Sequence, residues 1–559
     1  MNSTLRFLIA HVFFWLSTLP NTFRFFGAIR NVERTQKKIL LQILAANKNS
    51  KFGKKHSFGR IHTPEEFRTR VPIQTYEDFL PFINEVATGG GSILTEDPVR
   101  MFEPTSGSAS ASKLIPYTAS LKVDFRRGID PWIFSLYLKY PRLFIGSVYW
   151  SITPAHSKNR YTECGIPIGF SEDGEYFGAL QKWVLDTVSA APTEVKKIED
   201  IETFRYCTLL FLLARKNLRL ISVWNPTYLV ILLKDLPRLL PELVLSLRSR
   251  KIPKCPNEIR RILETKLHCP SGRIRELEEL VCAQRDSEKT LYESIWPKLS
   301  VISCWTDGLA HGQVKDILQM LPRVAIQPKG LLATEMFVSF PFFSRYSVLS
   351  VNSHFFEFEE VGGAKQVVFA HEVERNKQYR MIVTTNGGLY RYDIGDIVEV
   401  HDFWRGVPVL KFIGRGDKVV DCVGEKLNET FVEKAIGALL SLLDIKAEFW
   451  MVAPEKISSG CYRYVLFLES KFGVTPAKLT ELEESAEKAF QDNYYYQYAR
   501  SLGQLASLAV FVIKPEDSKT ATEFFLETSY RLGQRFGAIK MVRLHRYENW
   551  AKEFSGYYV

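Results

Sequence analysis

The chain has 559 residues, of which 46% are hydrophobic and 24% are charged. This length is too great for one ordinary domain, and the composition is that of a folded protein, which excludes disordered and collagen-like classes. The 73 Lys and Arg residues exceed the 62 Asp and Glu residues by 11, which favours anionic ligands. The basic residues are spread along the chain without an aromatic-interleaved arginine stripe, so we expect a nucleotide substrate and no nucleic acid partner.

The eight cysteines are irregularly spaced and include no Cys-x-x-Cys pair. This pattern is typical of reduced thiols in the cytosol and argues against a disulfide framework. Cys255, His268, Cys269 and Cys282 match no structural zinc spacing, so we do not expect a zinc site there. The sequence therefore predicts a cytoplasmic protein.

The first predicted element is an apolar stretch from Phe7 to Leu19, ended by Pro20. It is shorter than a membrane-spanning helix, and no small-x-small cleavage site follows it, which disfavours a signal peptide. Two interpretations stay open. We favour a helix packed on the protein's own core; the alternative is peripheral membrane contact through residues 7–27, helped by aromatic side chains and by Arg24 and Arg30.

Helical spacing of apolar residues next predicts a helix from Glu33 to Asn47. At Thr63 and at Thr75 a hydroxyl stands three residues before a carboxylate, which predicts two capped helix starts. After a glycine run at 89–91, the pattern predicts a helix over 121–138 and a buried strand over 144–152. This order of elements is typical of an α/β domain.

A run of hydroxyls and small residues precedes that helix: Thr105, Ser106, Gly107, Ser108, Ala109, Ser110, Ala111, Ser112 and then Lys113. Small residues let backbone amides approach an anion, the hydroxyls donate hydrogen bonds, and the lysine adds a positive charge, so the run is suited to a polyphosphate. It lacks the Gly-Lys-Ser/Thr of a Walker motif, and such runs are often flexible connectors. Its interpretation therefore depends on the motifs downstream.

Region 204–247 is apolar with helical periodicity and restarts at Asn225-Pro226. Strand-like runs follow at 301–305, 323–327 and 379–384, each leading into a polar turn, and such strand ends gather ligand chemistry in α/β sheets. One turn carries Glu335 after a small, flat stretch suited to a purine ring, and another carries Asp396 after Gly395.

We place a domain boundary before Gly414, where a glycine-flanked charged turn begins. Beyond it the pattern predicts strands at 448–452, 462–468, 507–513 and 541–544, and helices at 476–502 and 521–535. The expected fold is α/β, with a large multi-sheet N-terminal domain over residues 1–413 and a smaller α+β C-terminal domain over residues 414–559.

The ordered motifs resemble the adenylate-forming superfamily of acyl-CoA synthetases, adenylation domains and luciferases. In detail they are similar to the Gretchen Hagen (auxin-responsive promoter) family of acyl acid amido synthetases. The motifs that carry the resemblance are TSGSASASK at 105–113, ATE at 333–335, YRYDIGD at 390–396, GRGD at 414–417 and GEKLNE at 424–429.

The resemblance implies an ATP-dependent ligase that activates a carboxylic acid as an acyl adenylate, releases pyrophosphate and transfers the acyl group to an amino acid or other amine. It implies ATP and Mg²⁺ as cofactors, small-molecule acid and amine substrates, and a monomer. Two alternatives stay open: a thioester-forming, acyl-CoA synthetase-like ligase, and a catalytically inactive nucleotide-binding or scaffold member.

Matched position by position, the resemblance also implies roles for single residues. The ATP phosphates would be held by Thr105, Ser106, Gly107, Ser108 and Lys113. Ala333 and Thr334 would flank the adenine, Glu335 would bind Mg²⁺, and Asp396 would accept hydrogen bonds from the ribose hydroxyls.

The same comparison assigns the C-terminal domain a moving role. Asp417 resembles the hinge aspartate about which this domain, a mobile cap, rotates. Lys426 and Lys540 resemble the catalytic lysines that domain closure brings to the phosphates and the acyl carboxylate.

The hydroxyl run also departs from the family pattern. Ser110 stands where the second glycine is usual, Ser108 replaces a threonine, and Ala109 replaces a hydroxyl. A β-carbon at Ser110 restricts the backbone where a positive φ is needed, which leaves a slow, specialised or inactive member open. We expect the acyl pocket among the apolar residues between Leu121 and Leu236.

Overall fold

In a computed structural model the described residues form two compact units, an N-terminal unit over residues 3–104 and 113–413 and a C-terminal unit from Gly414. The structure describes residues 3–104, 113–151, 160–169, 179–253, 255–282, 288–307, 310–343, 347–362, 366–415, 419–420, 422–423, 425, 427–457, 461–501, 503–514, 519–532, 534 and 539–559.

The helices of the N-terminal unit include the capped starts that the sequence predicts. Thr63 Oγ1 accepts a hydrogen bond from the N–H of Glu66 at 3.2 Å, and the Asp78 carboxylate accepts one from the N–H of Thr75 at 2.8 Å. The helices are α1 (Ser3–Ser17), α2 (Leu19–Ala28), α3 (Val32–Ala46), α4 (Lys51–Lys55), α5 (Pro64–Arg70), α6 (Tyr76–Ala87), α7 (Ala119–Lys139), α8 (Ala179–Val188), α9 (Ile201–Leu213), α10 (Pro226–Ser249), α11 (Asn257–Lys266), α12 (Ser271–Cys282), α13 (Glu288–Ile295) and α14 (Ala310–Met320).

Helix α1 packs one face on the rest of the N-terminal unit. The buried His11 ring lies 2.6 Å from the Tyr137 hydroxyl and 2.7 Å from the carbonyl oxygen of Gly146, and burial lowers the pKa of His11 to about 4. Leu5 and Phe13 on the same helix are exposed. Among the described residues, no helix is both long and apolar enough to span a bilayer. One face of α1 therefore packs on the N-terminal unit, as the favoured interpretation predicts, and peripheral membrane contact through residues 7–27 stays a prediction.

The strands of the N-terminal unit form several sheets, which confirms the predicted fold class. They are β1 (Met101–Pro104), β2 (Leu114–Tyr117), β3 (Ser147–Trp150), β4 (Arg160–Tyr161), β5 (Pro167–Ile168), β6 (Leu218–Ser222), β7 (Val301–Cys304), β8 (Ala325–Pro328), β9 (Ser339–Pro341), β10 (Ser347–Leu349), β11 (Phe355–Glu360), β12 (Val367–Phe369), β13 (Gln378–Thr384), β14 (Tyr392–Trp404) and β15 (Val407–Arg415). The strand orders are β2-β1-β5-β4, β3-β6-β7-β8 and β12-β11-β13-β14-β15-β10-β9.

The sheet β3-β6-β7-β8 is parallel and corrects one prediction. Region 204–247, predicted as helical throughout, contains the strand β6 between α9 and α10. A strand buried in a parallel sheet reads as an unbroken apolar run, so periodicity does not separate it from a buried helix. The predicted restart is confirmed, because the Asn225 side chain accepts a hydrogen bond from the N–H of Thr227 at 2.9 Å at the start of α10.

The C-terminal unit has the α+β organisation expected from its sequence. Its elements are β16 (Val419–Val420), β17 (Leu427–Asn428), α15 (Glu429–Leu442), β18 (Ala447–Lys456), β19 (Tyr462–Ser470), α16 (Pro476–Phe490), α17 (Tyr494–Ser501), β20 (Ala509–Ile513), α18 (Ala521–Arg531), α19 (Trp550–Glu553) and β21 (Gly556–Tyr558). The main sheet has the order β18-β19-β20-β21, and β16 pairs with β17.

Two predictions in this unit are wrong. The helix predicted over 476–502 is two helices, because the Asn493 side chain accepts hydrogen bonds from the N–H groups of Tyr495 and Tyr496 and starts α17. The strand predicted over 541–544 reduces to an isolated bridge at Leu544. The N–H of Arg543 donates to the Glu429 carboxylate at 2.7 Å, and β20 pairs with β21.

Candidate active site

Tyr76, the first residue of α6, contacts the two residues that follow the hydroxyl run, Lys113 and Leu114. The N–H of Leu114 donates to the Tyr76 hydroxyl at 2.8 Å, and Lys113 Nζ lies 5.2 Å from the centre of the Tyr76 ring. Pro104 and Leu114, which flank the run, are register partners in β1 and β2. Residues Thr105, Ser106, Gly107 and Ser108, as well as the departures Ala109 and Ser110, lie outside the described residues.

The turn after β8 brings Glu335 into the electrostatic surroundings of Tyr76. Burial is the main cause that raises the pKa of Tyr76, and the carboxylates of Glu77 and Glu335 raise it further. The turn is closed by a hydrogen bond of 3.0 Å from the N–H of Ala333 to the carbonyl of Met336. Lys113 therefore lies beside Tyr76, and Glu335 acts on the same tyrosine electrostatically.

Strand β2 also holds this turn directly. The Tyr117 hydroxyl donates a hydrogen bond to the carbonyl oxygen of Thr334, and Tyr117 is fully buried. Since β2 begins immediately after Lys113, this bond fixes the distance between the end of the hydroxyl run and residues 333–335.

Asp396 is buried on β14, and the first residues of this strand pair with Gln74. Gln74 bridges to the beginning of this strand: its N–H donates to the Arg391 carbonyl at 3.0 Å, and its carbonyl accepts from the N–H of Asp393 at 2.9 Å. Gly395 has φ +74°, a conformation that favours glycine. The segment from Gln74 to Tyr76 therefore contacts the elements that carry Lys113 and Asp396, and Tyr117 on the Lys113 strand bonds to the turn that carries Glu335.

Arg391 anchors the turn before Asp396 through a buried ionic network. Its guanidinium donates to both Glu357 oxygens at 2.9 and 3.1 Å and to the Val71 carbonyl at 2.8 Å. Arg68 Nε donates to the same carboxylate at 3.0 Å. Arg391 has φ +48°, which is unusual for a residue with a side chain. The network holds this strained turn in place.

A metal at this site would have one protein carboxylate. Among the described residues, no group of three or more His, Cys, Asp and Glu side chains is arranged to hold a metal ion. Mg²⁺ in nucleotide sites is often bound by one or two carboxylates, with phosphate and water oxygens completing the octahedron. The partly exposed Glu335 fits that mode.

The buried side-chain amide of Gln74 is a donor that suits a polar ligand. Gln74 Nε2 is buried and has no hydrogen-bond partner in the described part of the chain. Buried polar groups in proteins are nearly always satisfied, so an orphaned one marks a position for an acceptor from water or a ligand.

Two models of one protein family match most of the chain. The model described as the GH3 family N-terminal domain matches residues 24–324, and that of the GH3 family central domain matches residues 347–415. The chain belongs to the GH3 family. The resemblance seen in the sequence motifs is thereby confirmed.

Similar GH3 proteins are amido synthetases and ligases. Indole-3-acetic acid-amido synthetase GH3.15 of Arabidopsis thaliana is 24% identical over 553 residues, which are 90% of this chain and 89% of that protein. Jasmonoyl-L-amino acid synthetase JAR6 of Nicotiana attenuata is 24% identical and covers 87% of each chain. The 4-substituted benzoates-glutamate ligase GH3.12 of Arabidopsis thaliana is 25% identical and covers 90% of this chain and 92% of its own.

A solved GH3 structure has the same fold. The GH3.15 acyl acid amido synthetase in complex with 2,4-DB superposes with a TM-score of 0.79 at 21% identity, covering 96% of this chain and 95% of that chain.

In this GH3 chain, the structure brings together only part of the predicted site. Lys113, Thr334, Glu335 and Asp396 lie on elements joined through Tyr76, Gln74 and Tyr117. Lys540 is an exposed residue of the C-terminal unit, whereas Asp417 and Lys426 lie outside the described residues. The sequence predicts a capped helix start at Thr75-Tyr76. It does not place Tyr76 or Gln74 in the site, because no local pattern marks their tertiary contacts.

A small cavity lies beside the Glu335 turn. Its volume is about 10 Å³, about enough for one water molecule, and its walls are Trp132, Trp224, Lys329, Gly330, Leu332, Phe337, Ser339 and Phe340. Trp132 and Trp224 come from the range predicted to line the acyl pocket, and the other walls come from residues 329–340.

Proposed function

We propose that this GH3 chain is an ATP-dependent ligase that joins a small carboxylic acid to an amino acid through an acyl adenylate. The observation that carries the proposal is that residues 74–76 contact the strands bearing Lys113 and Asp396, while Tyr117 on the first of these strands bonds to the turn bearing Glu335. A cation, a metal-binding carboxylate and a buried ribose-binding carboxylate are the groups that a Mg-nucleotide requires. The amido synthetases and ligases among the relatives support the amide product.

The proposed first step is attack of the substrate carboxylate on the α-phosphorus of ATP, with pyrophosphate leaving. Lys113 supplies positive charge to the phosphates, and Glu335 contributes the protein ligand to Mg²⁺, which when bound neutralises the phosphate oxygens. Asp396 accepts hydrogen bonds from the ribose hydroxyls and fixes the nucleotide, with Ala333 and Thr334 beside the adenine. These groups orient the reactants and stabilise developing charge.

In the proposed second step the amine of the amino acid attacks the acyl carbon and AMP leaves. We assign the hydroxyls of Thr105, Ser106 and Ser108 and the backbone at Gly107 to the phosphates. The C-terminal unit, residues 414–559, acts as a mobile cap that is hinged at Asp417. Its closure delivers Lys426 and Lys540 to the site. A lysine supplied by closure acts only in the assembled site, which lets one site serve two reactions.

A monomer in the cytoplasm is part of the proposal. The packing of His11 against Tyr137 and Gly146 supports α1 as a structural element of the N-terminal unit. Peripheral membrane contact through residues 7–27 stays a prediction to be tested by vesicle flotation.

The decisive experiment is acid-dependent exchange of pyrophosphate into ATP. We expect exchange with Mg²⁺ and an acid from a broad panel, and an amide product by mass spectrometry when amino acids are added. Normal ATP binding without exchange for any acid would contradict the ligase and favour an inactive member of the family. A thioester with CoA, and no amide with any amine, would identify the alternative ligase.

A further inference from the structure

Residues 332–337 form a tight hairpin that carries Glu335 at its tip. The two end residues form an antiparallel bridge. Inside the bridge the N–H of Met336 donates to the Ala333 carbonyl at 3.3 Å, the reverse of the bond that closes the turn. Glu335 is therefore one of the two central residues of a four-residue turn. We call residues 332–337 the Glu335 hairpin.

Two side chains from the turn before β11 hold the base of this hairpin. The N–H of Phe337 donates to His354 Nε2 at 3.0 Å, and the Ser353 hydroxyl donates to the Phe337 carbonyl at 3.0 Å. Both backbone polar groups of Phe337, two positions after Glu335, are thus bonded to side chains. These bonds fix the direction in which the hairpin leaves the sheet.

His354 is suited to accept this bond because its ring is neutral. The residue is fully buried, and burial, with the nearby Arg127 adding to the effect, lowers the pKa of His354 to about 3. A neutral imidazole accepts at one nitrogen and donates at the other. The bond from Phe337 to Nε2 therefore places the imidazole proton on Nδ1.

The backbone that carries His354 is itself fixed from α3. Gln36 Nε2 donates to the carbonyls of Val351 and His354, and Gln36 Oε1 accepts from the N–H of Phe356, all at 2.8 Å. The Gln36 side chain thus bonds to both sides of the turn before β11. The acceptor nitrogen of His354 therefore has a defined position.

The Phe337 side chain is also held, by α7. A Cβ at Gly128 would lie 2.0 Å from Phe337 Cδ1, so the ring lies directly against this helix. Phe125 on the same helix has its ring centre 6.5 Å from that of Phe337 and 5.9 Å from that of His354. With its ring packed and its backbone bonded, Phe337 is a rigid base for the turn that carries Glu335.

Packing alone does not explain a histidine at this position. His354 Nδ1 is buried without a hydrogen-bond partner in the described part of the chain, and so are Ser350 Oγ and both polar side-chain atoms of Asn352. Buried polar groups without partners are destabilising. Local features that oppose stability are expected at functional positions. The turn before β11 therefore has the character of a functional support.

We propose that His354, together with Ser353, is a positioning residue that fixes Glu335 for Mg²⁺ and the nucleotide. It acts through the backbone of Phe337 and does not touch the ligand. This inference rests on the proposed function, in which Glu335 is the metal-binding carboxylate. Replacement of a group that orients a metal ligand typically lowers metal affinity or activity by about 10–100-fold.

Binding of ATP with and without Mg²⁺ tests this role. The measurement is calorimetric titration of ATP into each protein, in Mg²⁺ buffer and in EDTA buffer, and we call the ratio of the two affinities the Mg²⁺ gain. We expect His354→Leu, which has no acceptor, to lower the gain about tenfold and to leave the affinity in EDTA within about twofold. An equal loss in both buffers, or an unchanged gain in the folded variant, would overturn the proposal.

His354→Gln is the conservative variant, because a glutamine amide oxygen can accept the bond from the N–H of Phe337. We expect its Mg²⁺ gain to stay within about threefold of the wild-type value. The matched control is His371→Leu at an exposed histidine after β12, which should leave the gain unchanged. A gain in His354→Gln as low as in His354→Leu would contradict the acceptor role.

Ser353→Ala tests the second bond to Phe337. This variant removes one hydroxyl and keeps the packing, so it decides the question if His354→Leu does not fold. We expect the Mg²⁺ gain to fall about twofold to tenfold, the usual range for one lost hydrogen bond. An unchanged gain would overturn the joint role of the two residues.

The combination with Glu335→Gln shows whether the effect passes through Glu335. Adding His354→Leu to Glu335→Gln should lower the Mg²⁺ gain by less than about a further twofold, because the two changes remove one interaction. A further loss as large as that of His354→Leu alone would refute the positioning role.

The single variants separate failure of this inference from failure of the proposed function. A lower Mg²⁺ gain in Glu335→Gln with an unchanged gain in His354→Leu would refute the positioning role and leave the metal role of Glu335 intact. An unchanged gain in Glu335→Gln would refute that metal role itself.

Discussion

Arg391 and Lys329 are both buried cations of the N-terminal unit, and they differ in what surrounds them. Arg391 pairs with both oxygens of Glu357 and with the carbonyl of Val71. Lys329 has the hydroxyl of Ser222 and three indole faces. Burial of a charge is costly unless the charge is paired. Arg391 has its pairing carboxylate, Glu357, within the protein.

The difference separates a buried cation with a carboxylate partner from one that has no ion-pair partner among the described residues. The Arg391 network holds the turn before Asp396 at a strained φ, and its removal should affect the fold. Lys329 has no ion-pair partner among the described residues, and its removal should change the pH dependence of stability. Four predictions test this distinction.

The largest expected effect is on stability, from Glu357→Ala. Glu357 is 1% exposed, and its loss leaves the Arg391 guanidinium buried without a counter-ion. Breaking one partner of a buried pair costs about 3–5 kcal/mol. We expect the free energy of unfolding in urea to fall by about that amount. The fall should be smaller for Glu357→Gln, because an amide oxygen still accepts hydrogen bonds. A change below about 1 kcal/mol would show that the network is not structural.

Asp396→Ala should lower activity more than stability. Loss of a hydrogen bond to a charged group costs about 1.5–3 kcal/mol, or about 10–100-fold in kcat/KM for ATP. The measurement is acid-dependent pyrophosphate exchange over a range of ATP concentrations. The matched control is Asp402→Ala, a substitution near the exposed end of the same strand. Equal activity of the two variants would remove Asp396 from the nucleotide site.

The sequence predicted those parts of the fold that local chemistry determines. The caps at Thr63, Thr75 and Asn225 depend on residues within a few positions, and each is confirmed. The strand β6 was missed because its five residues, Leu218–Ser222, are too few to show a period of two between longer apolar helical stretches. The strand predicted at 541–544 is absent because the N–H of Arg543 bonds to Glu429, which is more than a hundred positions away in the chain.

The site shows the same limit. Glu335 and Asp396 stand in motifs that spacing can mark, and Lys113 ends a recognisable run. Gln74 carries no such signal, and Lys329 stands in the same motif as Glu335 without any mark of its burial, because their surroundings arise from contacts with β14 and with three tryptophans from distant segments. Single-sequence patterns do not encode those contacts, whereas the buried unsatisfied atoms reveal them.

Lys329→Met should change the pH dependence of stability. The pKa of Lys329 is lowered to about 7 in the folded protein from about 10.4 when unfolded, so between these values the unfolded chain binds more protons and wild-type stability rises with pH. Relative to Lys329→Met, the wild type should gain about 2 kcal/mol between pH 7 and 9. Parallel stability curves for the two proteins would show that folding does not lower the pKa of Lys329, and hence that the folded protein compensates its positive charge.

The smallest expected effect comes from an exposed ion pair, which isolates burial as the cause of the difference. Lys51 Nζ lies 2.6 Å from Glu85, closer than any Arg391 contact given above, but the two side chains are 56% and 39% exposed. Exposed pairs contribute about 0–1 kcal/mol because water and salt screen them. Lys51→Met should therefore lower the unfolding free energy by less than about 1 kcal/mol, and less still in high salt. A loss as large as that of Glu357→Ala would mean that contact distance, and not burial, decides what a charge contributes in this protein.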